Sequence, residues 1–278
     1  LMASLFLLFL QKLLKFYIIC DIIKVYILEF SEVFVDNFSF EKLSDNISVC
    51  VSPEHGFGTD AFLLTHFSGY KKNDLACDLG TGCGIIPLIM QRSDPPVHTY
   101  AVDIQPQAVK QLEVSLEKNR INSITPVCAD LKDLWEDAPL GKLSLVTCNP
   151  PYKAANAGIE STLDAHRIAR HEILCNIDDV CRSAAKLLKY GGRLCICNRP
   201  ERLSDVITAM KNNSIEPKRI RFVSKSPESA PWLFLIEGRK GGKPFMKILP
   251  QLYVWNGNGY SEELESIYSQ GLERKDNE

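Results

Sequence analysis

The sequence predicts an α/β protein built on a mostly parallel, seven-stranded sheet with helices on both faces. Three observations carry this expectation. From about residue 47, short apolar runs alternate with stretches of helical periodicity. A glycine-rich turn, Gly80 to Gly84, separates one such run from the helix after it. Asp103 and Asp130 close the next two apolar runs, which places them at the carboxyl edge of the sheet, the ligand side of doubly wound folds.

The elements follow in order. Residues 75–79 (LACDL) form a strand ending in the glycine turn, and IIPLIMQ reads as the helix behind it. Residues 98–104 are the next strand, after which Val109, Leu112 and Leu116 recur at i, i+3 and i+7 on one helix face. Residues 123–130 and 142–148 are two further strands, the second running into Asn149-Pro150-Pro151-Tyr152. Ile177, Val180, Ala184 and Leu187 make the apolar stripe of a helix expected to stop at Gly191-Gly192. A strand at 193–198, a helix at 201–212 and strands near 219–224 and 232–237 complete the sheet. Residues 31–70 read as strand-like. The domain is expected over 31–270, with 271–278 a polar tail that frays.

With 278 residues and 45% apolar composition, the chain can bury one substantial core. Its ten cysteines include no C-x-x-C pair, so neither a zinc ribbon nor a thioredoxin-like site is written, no metal is expected, and the thiols are read as buried in a reducing compartment, the cytoplasm. The net charge of -2 argues against indiscriminate coating of nucleic acid. The charge is unevenly distributed: residues 1–150 carry 12 Lys+Arg against 18 Asp+Glu, and residues 151–250 carry 18 against 10. A solvated basic face and a phosphate-binding surface both fit the second balance.

Residues 1–30 are strongly apolar but broken by Lys12, Lys15, Asp21 and Lys24, so the longest uncharged run falls short of the ~20 residues of a membrane span. A basic n-region and a small-residue cleavage site are also missing. The segment is expected to be extraneous to the domain, a translated upstream stretch, with an amphipathic interfacial helix as the alternative.

The turn Asp78-Leu79-Gly80-Thr81-Gly82-Cys83-Gly84 lets a backbone approach a ligand closely. Dinucleotide sites want G-x-G-x-x-G, whereas the third glycine here comes one residue early, so the spacing favours S-adenosylmethionine over NAD. Asp103 can accept hydrogen bonds from both ribose hydroxyls, and Asp130 with Leu131 follows on the third strand. Either aspartate alone reads more readily as a strand-end turn residue; in register with the glycine turn they read as a cofactor site.

Asn149-Pro150-Pro151-Tyr152 suits methyl transfer to a nitrogen whose lone pair is delocalised, as in an aromatic amine or a carboxamide. The Asn149 side-chain oxygen and the Pro150 carbonyl can each accept one N–H and aim the lone pair. Pro151 stiffens the turn, and Tyr152 offers a ring on which a flat acceptor stacks, worth ~1 to 3 kcal/mol. An ordinary Pro-Pro turn is the bland alternative.

Gly80 to Gly84, Asp103, Asp130 and the NPPY loop together resemble class I S-adenosylmethionine-dependent amino-methyltransferases. More narrowly, residues 57–64 (FGTDAFLL), 169–172 (ARHE), 199–203 (RPERL), 216–219 (EPKR) and 247–250 (KILP) resemble the bacterial tRNA(Val) adenine-37 N6-methyltransferase family, over about residues 32–270. The resemblance implies a Rossmann-like domain with a final antiparallel strand, a cofactor across the glycine turn bordered by Phe57 and Thr59, and an adenine against Asn149 and Tyr152. It also implies a tRNA partner; the basic balance of residues 151–250 then suggests Lys153, Arg167, Lys218 and Arg219 as its phosphate contacts. A monomer is the default, and no membrane partner is expected. Trp232 stands where a small polar residue is expected, and Arg170-His171-Glu172 fits a capping role as well as a chemical one.

Three other readings compete. Release-factor glutamine methyltransferases share NPPY but carry a helical N-terminal domain, for which residues 31–70 are too few and too strand-like. Guanine N2 methylation of ribosomal RNA on a related fold differs in the segments after NPPY. A binding module without turnover is disfavoured by the intact NPPY.

Overall fold

Alternating side chains along the strands set the architecture. Along Leu194–Cys197, Leu194 and Ile196 enter one apolar cluster while Cys195 and Cys197 enter the other. A strand buried on both faces needs a helical layer on each. A computed structural model describes residues 38–53, 56–150 and 176–270; all of them except Phe38 belong to the unit Ser39–Glu278.

The chain opens with an antiparallel hairpin, β1 (Ser39–Lys42) and β2 (Ser48–Val51), followed by α1 (Thr59–Ser68). Then come β3 (Leu75–Leu79), α2 (Ile85–Met90), β4 (His98–Asp103), α3 (Pro106–Asn119), β5 (Ile124–Cys128) and β6 (Leu143–Cys148). From residue 177 on, α4 (Ile177–Leu187), β7 (Leu188–Asn198), a 3-10 turn (Pro200–Arg202), α5 (Leu203–Asn212), β8 (Ile215–Ser224) and β9 (Leu233–Lys240) follow. Two-residue strands β10 (Lys247–Ile248) and β11 (Leu252–Tyr253) and helix α6 (Glu262–Ser269) end the described chain. The sheet runs β10-β8-β9-β7-β6-β3-β4-β5, with β11 also on β8. Strands β3 to β7 are mutually parallel, and β9 is antiparallel to both β7 and β8. All seven expected strands are present, with the two short ones added beside β8.

Helix α3 does two jobs. Val109, Leu112 and Leu116 are buried, as their spacing requires. Gln111, Ser115 and Asn119, one turn apart on another face, bond the backbone of β2: the Ser48 N–H donates to Asn119 Oδ1 at 2.9 Å and the Cys50 N–H to Ser115 Oγ at 2.9 Å. The edge of the hairpin is thereby paired by side chains in place of a strand.

Two expectations are corrected. Helix α4 ends at Leu187, and Gly191-Gly192 lie inside β7, where the register to β6 shifts between Leu143 and Leu145. A Cβ on Gly192 would lie 2.9 Å from the carbonyl oxygens of Leu143 and Lys189, so the pair serves a bulge, not a helix stop. The segment 31–70, read as strand-like, contains helix α1. That helix is buried from Ala61 to Thr65 and again at Phe67 and Ser68, so it shows no amphipathic stripe. Among the described residues no helix is long and apolar enough to cross a membrane.

Candidate functional site

The carboxyl ends of β3, β4, β5, β6 and β7 open into a cavity of about 960 Å³, at the upper end of the range typical of small-molecule sites. The glycine turn forms its floor. Gly80 and Gly82 hold φ of 71° and 56°, in the left-handed region. The N–H groups of Gly80 and Thr81 both donate to the Val102 carbonyl, at 2.9 and 3.0 Å, which ties the turn to the end of β4. Gly84 lies behind, at the N-cap of α2, and a Cβ there would come 2.4 Å from Leu112 Cδ1. Its glycine is a packing requirement between α2 and α3.

Asp103 serves the turn as well as the cavity. Its Oδ2 accepts from the Gly82 N–H at 2.8 Å and its Oδ1 from the Gln105 N–H at 2.9 Å, and each oxygen keeps a lone pair for a ligand hydroxyl. Asp78 is fully buried. Thr147 Oγ1 donates to its Oδ1 at 2.6 Å, and its Oδ2, like Thr81 Oγ1, has no hydrogen-bond partner among the described residues. Burial raises the Asp78 carboxyl to about 7, against the hydrogen bond from Thr147 and the nearby Thr81 hydroxyl and with a small push from the Asp103 charge.

Asn149 directly follows β6 on the cavity wall, with Pro150 beside it. The Cys197 thiol on β7 donates to Asn149 Oδ1 at 3.0 Å. Burial, with the nearby Asp60 charge, pushes that thiol well above its ordinary value, so it keeps the proton it donates. The sheet register makes this meeting unavoidable: Cys148 pairs with Ile196, which sets the next residues, Asn149 and Cys197, side by side.

Of the residues singled out in the sequence, Phe57, Asp78, Gly80, Thr81, Gly82, Asp103, Asp130, Leu131, Asn149 and Pro150 line one cavity. Asp130 stands two residues beyond β5, its carboxylate accepting from the Lys132 N–H at 2.9 Å. Thr59 is turned elsewhere, sharing a hydrogen bond of 2.7 Å with the Tyr268 hydroxyl. Lys218 donates to the carbonyls of Lys243, Pro244 and Phe245 at 2.8, 3.2 and 2.8 Å. Arg219 pairs with Glu237 at 2.8 Å and donates to the Phe67 carbonyl at 2.6 Å. Pro151, Tyr152, Lys153, Arg167 and Arg170-His171-Glu172 lie outside the described residues.

The cavity also takes Asn176, Asn198, Arg199, Glu201 and Arg202, which sequence reasoning left without a role. The signal for the last three was present, since residues 199–203 were singled out as family-like. Their relevance depends on β7 lying next to β6, a neighbour relation that chain order does not state. Among the described residues no group of three or more His, Cys, Asp or Glu is placed to hold a metal ion.

Comparisons with known proteins bear on the family and the fold. The family model described as "Methyltransferase small domain" matches residues 54–213. A Parabacteroides distasonis protein named tRNA1(Val) (adenine(37)-N6)-methyltransferase is 28% identical over 181 residues, which cover 65% of this chain and 75% of that protein. A Histophilus somni protein of the same name is 30% identical over 159 residues, covering 56% of this chain and 65% of that protein. The crystal structure of an Agrobacterium tumefaciens protein, described as a predicted O-methyltransferase, superposes with a TM-score of 0.61 at 18% identity, over 76% of this chain and 96% of that one.

Proposed function

Because the chain belongs to the methyltransferase small domain family and has the Rossmann-like class I methyltransferase fold, we propose that it methylates N6 of an RNA adenine, adenine 37 in the anticodon loop of tRNA(Val), using S-adenosylmethionine. The observation that carries this reading is Asn149 at the end of β6, on the wall of the same cavity as the glycine turn, with its side-chain oxygen fixed by Cys197.

The residues present fit the cofactor. Asp78 Oδ2 and Thr81 Oγ1 are buried polar atoms with no hydrogen-bond partner among the described residues, on residues that line the cavity, and a carboxylate suits a cationic ligand. Asp103 is the candidate for ribose hydroxyls, Asp130 and Leu131 for the base, and Phe57 for the methionine end. When bound, S-adenosylmethionine supplies an electrophilic methyl group on a positively charged sulfur.

The chain's own residues then have a positioning task. Asn149 Oδ1, with one lone pair engaged by Cys197, accepts an amine N–H on the other, and the Pro150 carbonyl accepts the second. Holding both hydrogens aims the nitrogen lone pair along one direction, which supplies the proximity part of the rate enhancement. No general base is needed, because the amine proton becomes acidic once the nitrogen is alkylated. A base buried in a stack cannot reach the end of β6, so the adenine has to be splayed out, at a cost of roughly a few kcal/mol that is smallest in a single-stranded loop. Tyr152 is the proposed stacking partner, and the same proposal makes the protein cytoplasmic and its partner tRNA.

The glutamine amide of a release factor poses the same lone-pair problem, so the decisive experiment offers both acceptors. Purified protein, methyl-labelled cofactor, tRNA and a release-factor peptide are incubated side by side. Label on tRNA supports the reading, and label on the peptide alone overturns the RNA assignment.

A further inference from the structure

Resting on the RNA reading above, we propose that Arg199 and Arg202 form a cationic subsite for a phosphate flanking the methylated nucleotide, on the side of Asn149 away from the cofactor. Sheet order supports this first. Strand β6 lies between β3, whose end carries the glycine turn, and β7. The register pairs Cys148 with Ile196, so β7 leaves the sheet level with the Asn149-Pro150 loop, and Arg199 follows directly. An acceptor held against Asn149 therefore has the cofactor strands on one flank and the end of β7 on the other.

Charge points the same way. The cofactor flank is acidic, with Asp78, Asp103 and Asp130 among its lining residues. On the β7 flank the lining cations are Arg199 and Arg202, with Glu201 the carboxylate between them. A nucleotide approaching with its phosphate turned toward β7 keeps that charge away from three carboxylates and meets guanidinium groups suited to bidentate phosphate contact.

Arg199 is held in place for such a role. Its Nη1 donates to the Trp232 carbonyl at 3.1 Å, and its guanidinium carbon lies 5.8 Å from the centroid of the Trp232 ring. This gives Trp232, the residue before β9, a function as the seat of that guanidinium. Arg202 is half exposed and pairs with Asp205 at 2.9 Å, an ion pair one turn apart on the surface. Such pairs are weak enough for a phosphate to displace. Lys218 and Arg219 do not line the cavity: Lys218 is engaged by the carbonyls of Lys243, Pro244 and Phe245, and Arg219 by Glu237, its register partner on β9.

The test measures binding and methylation of an anticodon stem-loop RNA across a salt series, for the wild type, Arg199→Gln and Arg202→Gln, with calorimetric S-adenosylmethionine affinity alongside. The expected result is a KM for RNA raised roughly tenfold in each variant. The log-log salt slope should become shallower by about 0.7 to 1 unit per arginine, and cofactor affinity should stay unchanged. Because Arg199 also braces Trp232, Arg202→Gln decides: an unaltered slope and KM in that variant overturns the subsite. A wild-type protein that does not bind or methylate RNA overturns the functional reading instead, before any variant is compared.

Discussion

The Gly82 N–H donates to Asp103 Oδ2 at 2.8 Å, so the carboxylate expected to hold a ligand also holds the loop on which that ligand lies. Two effects are then tied to one residue. Asp103→Ala is expected to weaken S-adenosylmethionine binding by about 1.5 to 3 kcal/mol, through lost hydrogen bonds to a charged group and a loosened turn. Asp103→Asn keeps one acceptor for one backbone N–H and should lose less. Isothermal calorimetry checks this, and unchanged affinity in Asp103→Ala would remove the residue from the site.

Asn149→Ala should separate binding from chemistry. Cofactor affinity should hold while the transfer rate falls by a factor of ~100 or more, because the oxygen acts on the acceptor nitrogen. Single-turnover rates with a saturating RNA give the answer, and a near wild-type rate would end the lone-pair argument.

Cys197→Val puts an apolar side chain, one branch larger than cysteine, in the buried position and removes the donor to Asn149 Oδ1. The expected outcome is a kcat lowered by about 3- to 10-fold with little change in cofactor Kd, since the loss of one weak hydrogen bond, about 0.5 to 1.5 kcal/mol, frees the amide to rotate. Cys197→Ser, which restores a hydroxyl donor, should recover part of the rate. A serine variant as slow as the valine one would mean that packing, not the donated bond, matters here.

The raised Asp78 carboxyl gives a pH dependence with a definite sign. Folded, it titrates at about 7 because burial disfavours its charge; unfolded, it titrates near the ordinary ~3.9. Between those values the folded state binds more protons, so the contribution of Asp78 to stability falls as pH rises through that window. A cationic ligand reverses the preference by favouring the carboxylate. S-adenosylmethionine affinity is therefore expected to tighten from about pH 6 to 7.5, below the ~8 at which its amino group loses charge. Asp78→Asn should flatten the profile, and an unaltered profile in that variant would assign the titration elsewhere.

Arg219→Ala is expected to act on stability. Glu237 is buried and keeps Arg193 at 3.6 Å when Arg219 is removed, so the cost should be about 1 to 3 kcal/mol, read as a lowered denaturation midpoint. An RNA salt slope that became shallower by one unit at unchanged stability would restore Arg219 to the phosphate contacts its sequence context led us to expect.

What the sequence made legible depended on how local each signal was. Gly80, Gly82 and Asp103 stand within one strand-turn-helix-strand run, where spacing alone implies that they converge. The stripe Val109, Leu112 and Leu116 is a single-helix pattern of the same kind. Cys197 was not legible, because its tie to Asn149 spans about fifty residues and exists only through the β6–β7 register. Helix α1 was missed because burial nearly all round erased its periodicity, and Gly191-Gly192 because a glycine pair after a helical stripe marks a bulge as readily as a stop. Thr59, expected beside the cofactor, sits at the first position of α1 with its hydroxyl on Tyr268, a contact across 209 residues that no local pattern announces.

The most direct test of the account uses tRNA(Val) transcripts with adenine 37 intact or replaced by guanine, incubated with the purified chain and methyl-labelled S-adenosylmethionine, then digested to nucleosides. The account predicts labelled N6-methyladenosine from the intact transcript and no label from the other. Label in any other nucleoside, or equal label in both transcripts, would contradict it.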